Sequence, residues 1–433
     1  MKLNLGFDKI ITYLLALFFF VLPWQTRWIW HWGELGGGFW EYGSKCVYGT
    51  EILLWVIFVF FIIKRLRDTN IRMSLLKYCY IAILLYCFVF FEISNQTIFH
   101  RIEGLLLIFV IFELAKKQYN NITIYLTSLW LGGVAQGILG IWQFFTQNVF
   151  ASKWLGLASH SAFEGGANVI EFAGGRWLRA YGSLGGANPL GIYLAVALVV
   201  GLFFFFKTKK QYSLPLLNAT ARQGNIAILV GQSLIFVGLL LTFSRGAWLA
   251  ALVGILSFVF FIGKENFKKL LPILGMFVTV ILIIVGLLWP LFSTRFGFSV
   301  RLEQQSVIER VSQISDWQQI FHGNWLWGVG SGNYTFALFQ LHPSLPYWQL
   351  QPVHNAYLLI LAENGVVVLL CCFVVMLLWF RWLYKNNRLF LPVVLTLLVS
   401  GLFEHWSVSL FPGIMFFAAV VGLSLISKEQ KGF

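Results

Sequence analysis

The chain has 433 residues, of which 59% are hydrophobic and only 11% are charged, and its mean hydropathy is +0.77. This composition excludes a water-soluble enzyme and indicates a polytopic membrane protein, because apolar runs of about twenty residues, the length that spans a bilayer as a helix, recur throughout. The net charge of +14 is interpreted as a consequence of membrane topology, so no nucleic-acid partner is expected.

Twelve apolar segments are predicted to cross the membrane, which makes the fold class all-α. In chain order they cover residues 8–24, 46–63, 77–93, 98–115, 122–147, 187–206, 226–243, 246–263, 270–289, 354–384 (broken), 389–406 and 412–427. Their close spacing leaves no room for a separate soluble domain. We therefore expect a single integral membrane domain over residues 1–433.

The basic residues predict the orientation of this domain, since loops rich in lysine and arginine stay in the cytoplasm. With the N-terminus inside, 21 of the 31 lysines and arginines fall on the inner side. The outer side then carries two large loops, about residues 148–186 and 290–353, the second with short helices. Tryptophans near the outer boundary fit an interfacial belt, with stacking on sugars as the alternative for some of them.

Several signatures of other chemistries are missing from the sequence. There is no Walker-type phosphate loop, so ATP is not expected to drive a reaction. The outer carboxylates form no tight pair of the kind that holds magnesium on a diphosphate, and the five cysteines suggest neither a disulfide framework nor a zinc site. We expect neither metal nor cofactor, so any bound phosphate would be held by arginine.

Arg179 is the first candidate for such a contact. It stands in the stretch GRWLRAYGS at 175–183, just before NPLG at 188–191, where Pro189 suits the first turn of a membrane helix. Because a helix N-terminus favours anions, Arg179 is well placed to bind phosphate. The alternative is an interfacial arginine that pairs with Glu171 or with lipid headgroups.

Arg245 is the second candidate. The stretch TFSRGAW at 242–248 is a very short outer hairpin between two apolar helices. A cation there opposes the inside bias of positive charge and needs a partner, although an arginine that reaches toward headgroups is the alternative. Two guanidiniums at one cavity would clamp a diphosphate without a metal.

His354 is the third candidate. The stretch HNAYLLILAE at 354–363 predicts a helix that Asn364 and Gly365 interrupt. Ten helical residues rise about 15 Å, half a bilayer, so this part is predicted to be a half-helix leading into the full span. An imidazole exchanges protons near neutral pH and can activate a hydroxyl group, while a purely structural histidine is the alternative. The six other histidines rank lower, since none precedes a comparable break.

Four groups of motifs follow one another along the chain. They are RAYGS at 179–183 with NPLG at 188–191, TFSRGAW at 242–248, WGVGSGN at 327–333, and HNAYL at 354–358 with AENG at 362–365. In this order, with a long outer loop before the histidine, they resemble the O-antigen ligase and O-antigen polymerase superfamily of bacterial cell envelopes. The resemblance extends from about residue 120 to about residue 425.

The resemblance implies a metal-independent, inverting glycosyltransferase of the bacterial cytoplasmic (inner) membrane whose active site faces the periplasm. Its donor would be a glycan on undecaprenyl diphosphate, with Arg179 and Arg245 binding the diphosphate and His354 as the catalytic residue at the acceptor hydroxyl. Further candidates for substrate contacts are Arg176, Arg301, Arg310, Asn355 and Tyr357. The loop helix around Glu309, Arg310 and Asp316 would gate or line the site; the alternative is a solvated amphipathic helix held in place by salt bridges.

Three acceptors compete within the superfamily: a lipid A-core sugar, another carrier-linked glycan, or a Ser/Thr hydroxyl of a protein. We favour the first, the O-antigen ligase reaction of lipopolysaccharide biosynthesis, over the polymerase and the protein O-oligosaccharyltransferase. The hypothesis from another class is a lipid-linked glycan transporter. It is less favoured because most predicted spans are uninterrupted apolar runs, with Glu51, Glu92, Glu103 and Glu404 near their outer ends.

Overall fold

The computed structural model describes residues 2–67, 96–117, 122–205, 221–296 and 301–426, and within these ranges the chain is predominantly helical. The α-helices are α1 (Lys2–Val21), α2 (Gly49–Arg67), α3 (Gln96–Lys117), α4 (Ile122–Thr146), α5 (Ala187–Leu202), α6 (Ala221–Leu241), α7 (Arg245–Ile262), α8 (Lys264–Leu287), α9 (Trp289–Phe296), α10 (Arg301–Gly323), α11 (Tyr334–Leu341), α12 (Ala356–Asn386), α13 (Leu391–Ser400), α14 (Trp406–Ser409) and α15 (Phe411–Ser424).

Five of the described helices are long and apolar enough to cross a membrane: α4, α5 with the short turn after it, α7, α8 and α12. The protein is therefore a helical membrane protein. Eleven of the twelve predicted spans overlap a described helix, and the predicted span 77–93 lies outside the described residues. The number of twelve crossings stays a prediction.

One predicted span ends earlier than expected. The apolar run 389–406 forms the ten-residue helix α13, which stops at Ser400 and is followed by the turn 401–405. This turn carries Glu404, whose side chain contacts Asn188 on α5 and His354, and His405, whose side chain contacts Ser409 on α14. Continuing the helix through them would remove those partners, so the chain turns before the ionisable pair.

Helix α5 is the centre of the fold. Every residue from Leu190 to Leu202 is buried, as expected for a helix that is apolar on all sides. It packs against α4, α6, α7 and α13. A Cβ at Gly191 would lie 2.7 Å from the Cβ of Ala247, so only glycine lets α7 approach so closely and brings Arg245 beside the start of α5.

Short antiparallel strand pairs, which the all-α expectation did not include, lie in the segments between α1 and α2 and between α4 and α5. The strands are β1 (Arg27–His31), β2 (Glu34–Leu35), β3 (Gly38–Phe39), β4 (Lys45–Tyr48), β5 (Asn148–Val149), β6 (His160–Ser161), β7 (Val169–Phe172) and β8 (Gly175–Leu178). They pair as β1 with β4, β2 with β3, β5 with β6 and β7 with β8. The turn between β7 and β8 has positive φ at both Ala173 (50°) and Gly174 (76°), as tight hairpins require.

The WGVGSGN motif packs against the break in α12. Gly365 interrupts that helix with φ 76°, and a Cβ there would lie 2.0 Å from the carbonyl oxygen of Leu326. The amide of Val329 donates to the carbonyl of Ala362 at 2.9 Å, and that of Gly330 donates to the carbonyl of Glu363 at 2.8 Å. The loop therefore satisfies the main-chain groups that the break exposes.

Candidate active site

A polar cavity of about 110 Å³ lies where the start of α5, the α6–α7 turn, α10 and the turns before α12 and after α13 meet. Four of the eight predicted site residues line it: Arg179, Arg245, Arg310 and His354. The cavity is also lined by five further residues with polar side chains: Asn188, Arg295, Glu309, Gln313 and Glu404. Most of the wall is charged or amide-bearing, which suits an anionic, sugar-bearing ligand.

Arg179 is buried at this cavity and held by neutral acceptors. It directly follows β8, its Nε donates to the carbonyl of Thr242 at 2.6 Å, and its Nη2 donates to Oδ1 of Asn188 at 2.9 Å. Among the described residues it forms no salt bridge, so the predicted alternative of a pair with Glu171 is not what the structure contains.

The charge of Arg179 is therefore poorly compensated. Burial and the nearby Arg295 lower the pKa of its guanidinium well below the usual range. Arginine nevertheless keeps its proton in proteins. A buried cation without a carboxylate partner favours the binding of an anion.

Arg245 lies at the first position of α7, after a sharp turn. Phe243 in that turn adopts φ 49°, an uncommon conformation for a bulky residue, and its ring packs 4.5 Å from that of Phe292. Nη1 of Arg245 donates to the carbonyl of Arg295 at 3.0 Å. The side chain is 37% exposed, so part of the guanidinium is open to the cavity.

Glu303 links Arg245 with Arg295 across the cavity edge. Its Oε2 lies 3.0 Å from Nη2 of Arg245, and its Oε1 forms an ion pair with Nη1 of Arg295. Glu303 lies on α10 and is only 4% exposed. The Glu303 carboxylate thus contacts two guanidiniums at the place where the sequence predicts a phosphate.

His354 stands against Glu404 in the last turn before α12. Its Nδ1 lies 3.3 Å from Oε1 of Glu404, and its backbone amide donates to Oε1 of Gln313 on α10 at 3.3 Å. An ionised carboxylate only accepts hydrogen bonds, so Nδ1 carries the proton. In the neutral imidazole Nε2 then holds the lone pair.

The charges of this pair shift both pKa values. Glu404 raises the pKa of His354 above its usual value, although burial acts in the opposite direction. Burial raises the pKa of Glu404, but His354 outweighs that effect and the net pKa of the carboxyl lies below its usual range. The arrangement favours an ionised carboxylate beside an imidazole that attracts a proton.

Asn188 connects the histidine with the arginine side of the cavity. Its Nδ2 donates to Oε2 of Glu404 at 3.2 Å, while its Oδ1 accepts from Arg179. A continuous set of polar contacts therefore runs from Arg179 through Asn188 and Glu404 to His354. It fixes the distance between the proposed anion site and the imidazole.

Asn355 and Tyr357 hold the turn that carries His354. The Asn355 side chain caps α12 by accepting from the amides of Tyr357 at 2.9 Å and Leu358 at 3.0 Å. The Tyr357 hydroxyl donates to the carbonyl of Leu398 on α13 at 2.8 Å. These contacts join α12 to the end of α13, whereas a substrate contact for either residue stays a prediction.

His405 is closer to the site than the ranking of the histidines suggested. Its ring centroid lies 5.6 Å from that of His354, and its Nδ1 lies 2.8 Å from Oγ of Ser409. Burial lowers the pKa of His405 to about 4, so this ring is neutral near pH 7.

His354, Glu404 and His405 each offer a ligand atom, and these atoms lie within 4.8 Å of one another, as a metal site would require. The Glu404 carboxylate, however, already accepts from the amide of His405 at 3.0 Å and from Asn188. Hydrogen bonds thus occupy the carboxylate oxygens that a metal ion would need. A metal-free site remains the expectation.

Helix α10 lines the cavity with one face and exposes the other. Ser306, Arg310 and Gln313 lie at helical spacing on the cavity side, whereas Ile308 and Val311 are 67% and 63% exposed. The segment therefore borders the cavity on one face and is exposed on the other, and its role in the site stays a prediction.

Arg176 and Arg301 lie outside the cavity wall. Arg176 stands opposite Glu171 in the β7–β8 pair. Arg301 forms a salt bridge with the same Glu171 and its side chain is 70% exposed. Both therefore belong to the rim of the outer segment, and their predicted substrate contacts stay predictions.

Fold and cavity together define a helical membrane protein with arginines and a histidine–carboxylate pair at one polar pocket. Residues 230–373 match the family model of the O-antigen ligase, which confirms the resemblance to that superfamily and assigns this segment to it. Its members are glycosyltransferase-like enzymes of the ligase and polymerase type. The matched segment contains Arg245, Glu303 and His354. No curated protein matches the chain.

Proposed function

We propose that the protein is a glycan ligase that transfers a polysaccharide from undecaprenyl diphosphate to an acceptor hydroxyl, with a lipid A-core sugar as the favoured acceptor. The observation that carries the proposal is that Arg179, Arg245 and the His354–Glu404 pair border one cavity. The distribution of basic residues supports a location in the cytoplasmic membrane with the cavity facing the periplasm.

The arginines bind the leaving diphosphate. Arg179 brings a buried charge that has no carboxylate partner in the described segments, and Arg245 brings a guanidinium that is partly open to the cavity. As the glycosidic bond breaks, negative charge grows on the diphosphate, and fixed donors around it stabilise the transition state. Arginine thereby takes the part that a metal ion has at other diphosphate sites.

His354 acts on the acceptor. The acceptor oxygen attacks the anomeric carbon from the side opposite the diphosphate, and Nε2 of His354 takes the hydroxyl proton. A new carbon–oxygen bond forms, the bond to the diphosphate breaks, and its electron pair leaves with undecaprenyl diphosphate. The anomeric configuration is inverted. Glu404 fixes the tautomer and stabilises the resulting imidazolium.

The cavity must widen to admit the donor. Its volume is about 110 Å³, well below the roughly 300–1,000 Å³ of pockets that enclose organic ligands. Helix α10 forms one wall, and Glu303 on it occupies Arg245 and Arg295. We therefore propose that the donor diphosphate replaces the Glu303 carboxylate and displaces α10.

The test uses purified protein in detergent with a radiolabelled undecaprenyl-diphosphate glycan and EDTA. Three acceptors are offered separately: lipid A-core, carrier-linked glycan and a Ser/Thr peptide. Product on lipid A-core, lost in His354→Ala, is the expected result. Product on carrier-linked glycan or on peptide would replace the ligase by the polymerase or by the protein O-oligosaccharyltransferase.

His342→Ala is the matched control. This histidine also lies in the large outer loop, but it pairs with Asp316 at 2.9 Å and does not line the cavity. It is expected to keep full activity. Folded protein that binds the carrier but forms no product with any acceptor would refute the transferase and favour a lipid-linked glycan transporter.

A further inference from the structure

A second cluster of titratable side chains lies away from the cavity, between α2 and α3. Glu51 on α2 and His100 and Glu103 on α3 each offer one ligand atom, and the three atoms lie within 4.8 Å of one another. Their exposed fractions are 2%, 5% and 0%. None of them lines the cavity described above.

These groups are poorly satisfied by the described parts of the chain. In those parts, the two carboxylate oxygens of Glu103 have no hydrogen bond of normal geometry, and the same holds for Nε2 of His100. The Trp55 side chain does interact with Glu103. Glu51 accepts from the amide of Tyr48 at 3.0 Å. One indole and one amide do not balance two buried carboxylates, and ionised carboxylates are costly there unless they are paired, take up protons or bind a metal.

Arg101, the basic residue next to the cluster in the sequence, contacts other residues. Arg101 forms a salt bridge with Glu363 at 3.1 Å and donates to Oγ of Ser331 at 2.7 Å. No lysine or arginine of the described segments forms a salt bridge with Glu51 or Glu103. Aromatic rings close the cluster, with Phe411 at 5.0 Å and Tyr48 at 6.3 Å from the ring of His100.

We propose that Glu51, His100 and Glu103 form a binding site for a divalent metal ion of the zinc class. Two carboxylates balance the charge of the ion, and a neutral imidazole completes a set of oxygen and nitrogen ligands that Zn²⁺ accepts. Ligand distances of about 2.0–2.2 Å put neighbouring ligand atoms about 3.4 Å apart on a tetrahedral ion. Nε2 of His100 and Oε2 of Glu51 are 4.0 Å apart, so small side-chain rotations suffice.

The role of this site is structural. The ion joins α2 to α3, and the same stretch of α3 carries Arg101, which binds Glu363 beside the break in α12. On α3, Gly104 packs against α15, where a Cβ at Gly104 would lie 3.3 Å from that of Ala418. Metal binding therefore stabilises the helices around the cavity without entering the transfer reaction.

Metal binding is measured on the full chain in detergent, after removal of metals by a chelator and addition of Zn²⁺ alone. We expect one tightly held equivalent per chain by elemental mass spectrometry and a rise in the thermal unfolding temperature. Co²⁺ in place of Zn²⁺ should give visible absorption bands that are typical of nitrogen and oxygen ligation. This last measurement needs no variant.

Glu103→Gln and His100→Gln are expected to lose the equivalent and the thermal shift. Glu113→Gln is the matched control, since Glu113 lies on the same helix but pairs with Arg65, and it should keep both. His354→Ala should also keep both, which separates this site from the cluster at the cavity. The proposal would be overturned if the wild type held no zinc and gave no cobalt absorption bands. It would also be overturned if metal binding were lost in His354→Ala and kept in Glu103→Gln.

Discussion

Nδ1 of His354 lies 3.3 Å from Oε1 of Glu404, and this pair joins the proposed catalytic imidazole to a carboxylate fifty residues further along the chain. Glu404 orients the imidazole and also accepts from Asn188, which in turn accepts from Arg179. The geometry of acceptor activation and of diphosphate binding is thus set by one polar network.

The first prediction concerns Glu404→Gln. Glu404 raises the pKa of His354. The imidazole of the wild type therefore loses its proton, and becomes an effective base, at a higher pH than an ordinary histidine. Removing the charge lowers that pKa. The acid limb of the pH profile should move to lower pH, and the rate at the optimum should fall by about 10²-fold as the base loses its orientation.

The measurement is the transfer rate as a function of pH for both proteins. The same carboxylate predicts a window of stability for the ion pair. Its contribution is lost as pH rises through the raised pKa of His354 and as pH falls through the depressed pKa of Glu404. An unchanged acid limb in Glu404→Gln would show that His354 does not titrate in the reaction.

The second prediction separates cavity arginines from rim arginines. Arg179→Ala and Arg245→Ala should each reduce transfer by about 10²–10³-fold, the cost of removing one preorganised donor to a developing charge. Arg301→Ala should leave transfer close to wild type, because that side chain is 70% exposed and pairs with Glu171. Steady-state rates at saturating donor distinguish the two groups. Loss of transfer in Arg301→Ala would extend the binding site to the loop rim.

Several parts of the site could be predicted because they break a local pattern. Arg179 and Arg245 are charges in outer turns next to apolar helices, and His354 precedes a helix that Gly365 interrupts. Such positions need partners, so their meeting at one cavity follows from the cost of isolated charge near a membrane.

Other parts were missed for equally physical reasons. Glu404 and His405 stand inside the apolar run 389–406, where length alone favoured one continuous span. The ionisable pair was the available signal that α13 ends early. Glu303 resembled an ordinary loop charge, since nothing in the sequence indicates that α10 brings it beside Arg245. The β7–β8 hairpin lacked the Asn-Gly or Asp-Gly turn that marks such a structure.

The third prediction tests the break in α12. Gly365→Ala forces a side chain into φ 76° and within 2.0 Å of the carbonyl oxygen of Leu326, so we expect a loss of several kcal/mol of stability, about 2–4. Gly275→Ala is the control, because a Cβ there meets nothing within 4 Å and alanine favours the helix. Thermal unfolding in detergent compares them. Equal stability would mean that the WGVGSGN loop does not hold the break in the way described.

The fourth prediction concerns Glu303, the carboxylate between Arg245 and Arg295. Glu303→Gln removes the negative charge with which the donor diphosphate competes, so the donor KM should decrease. The same change leaves Arg295, whose side chain is 9% exposed, without its partner, and breaking a buried pair in this way costs about 3–5 kcal/mol. We therefore expect tighter donor binding together with a lower unfolding temperature.

Donor KM and thermal unfolding are measured on the same preparations, with Glu171→Gln as the control. Glu171 also forms a salt bridge with an arginine, Arg301, but it does not line the cavity. A lower unfolding temperature with a higher donor KM would mean that Glu303 only supports the arginines. A lower KM would instead establish that the resting protein fills its anion site with its own carboxylate, which the substrate must displace.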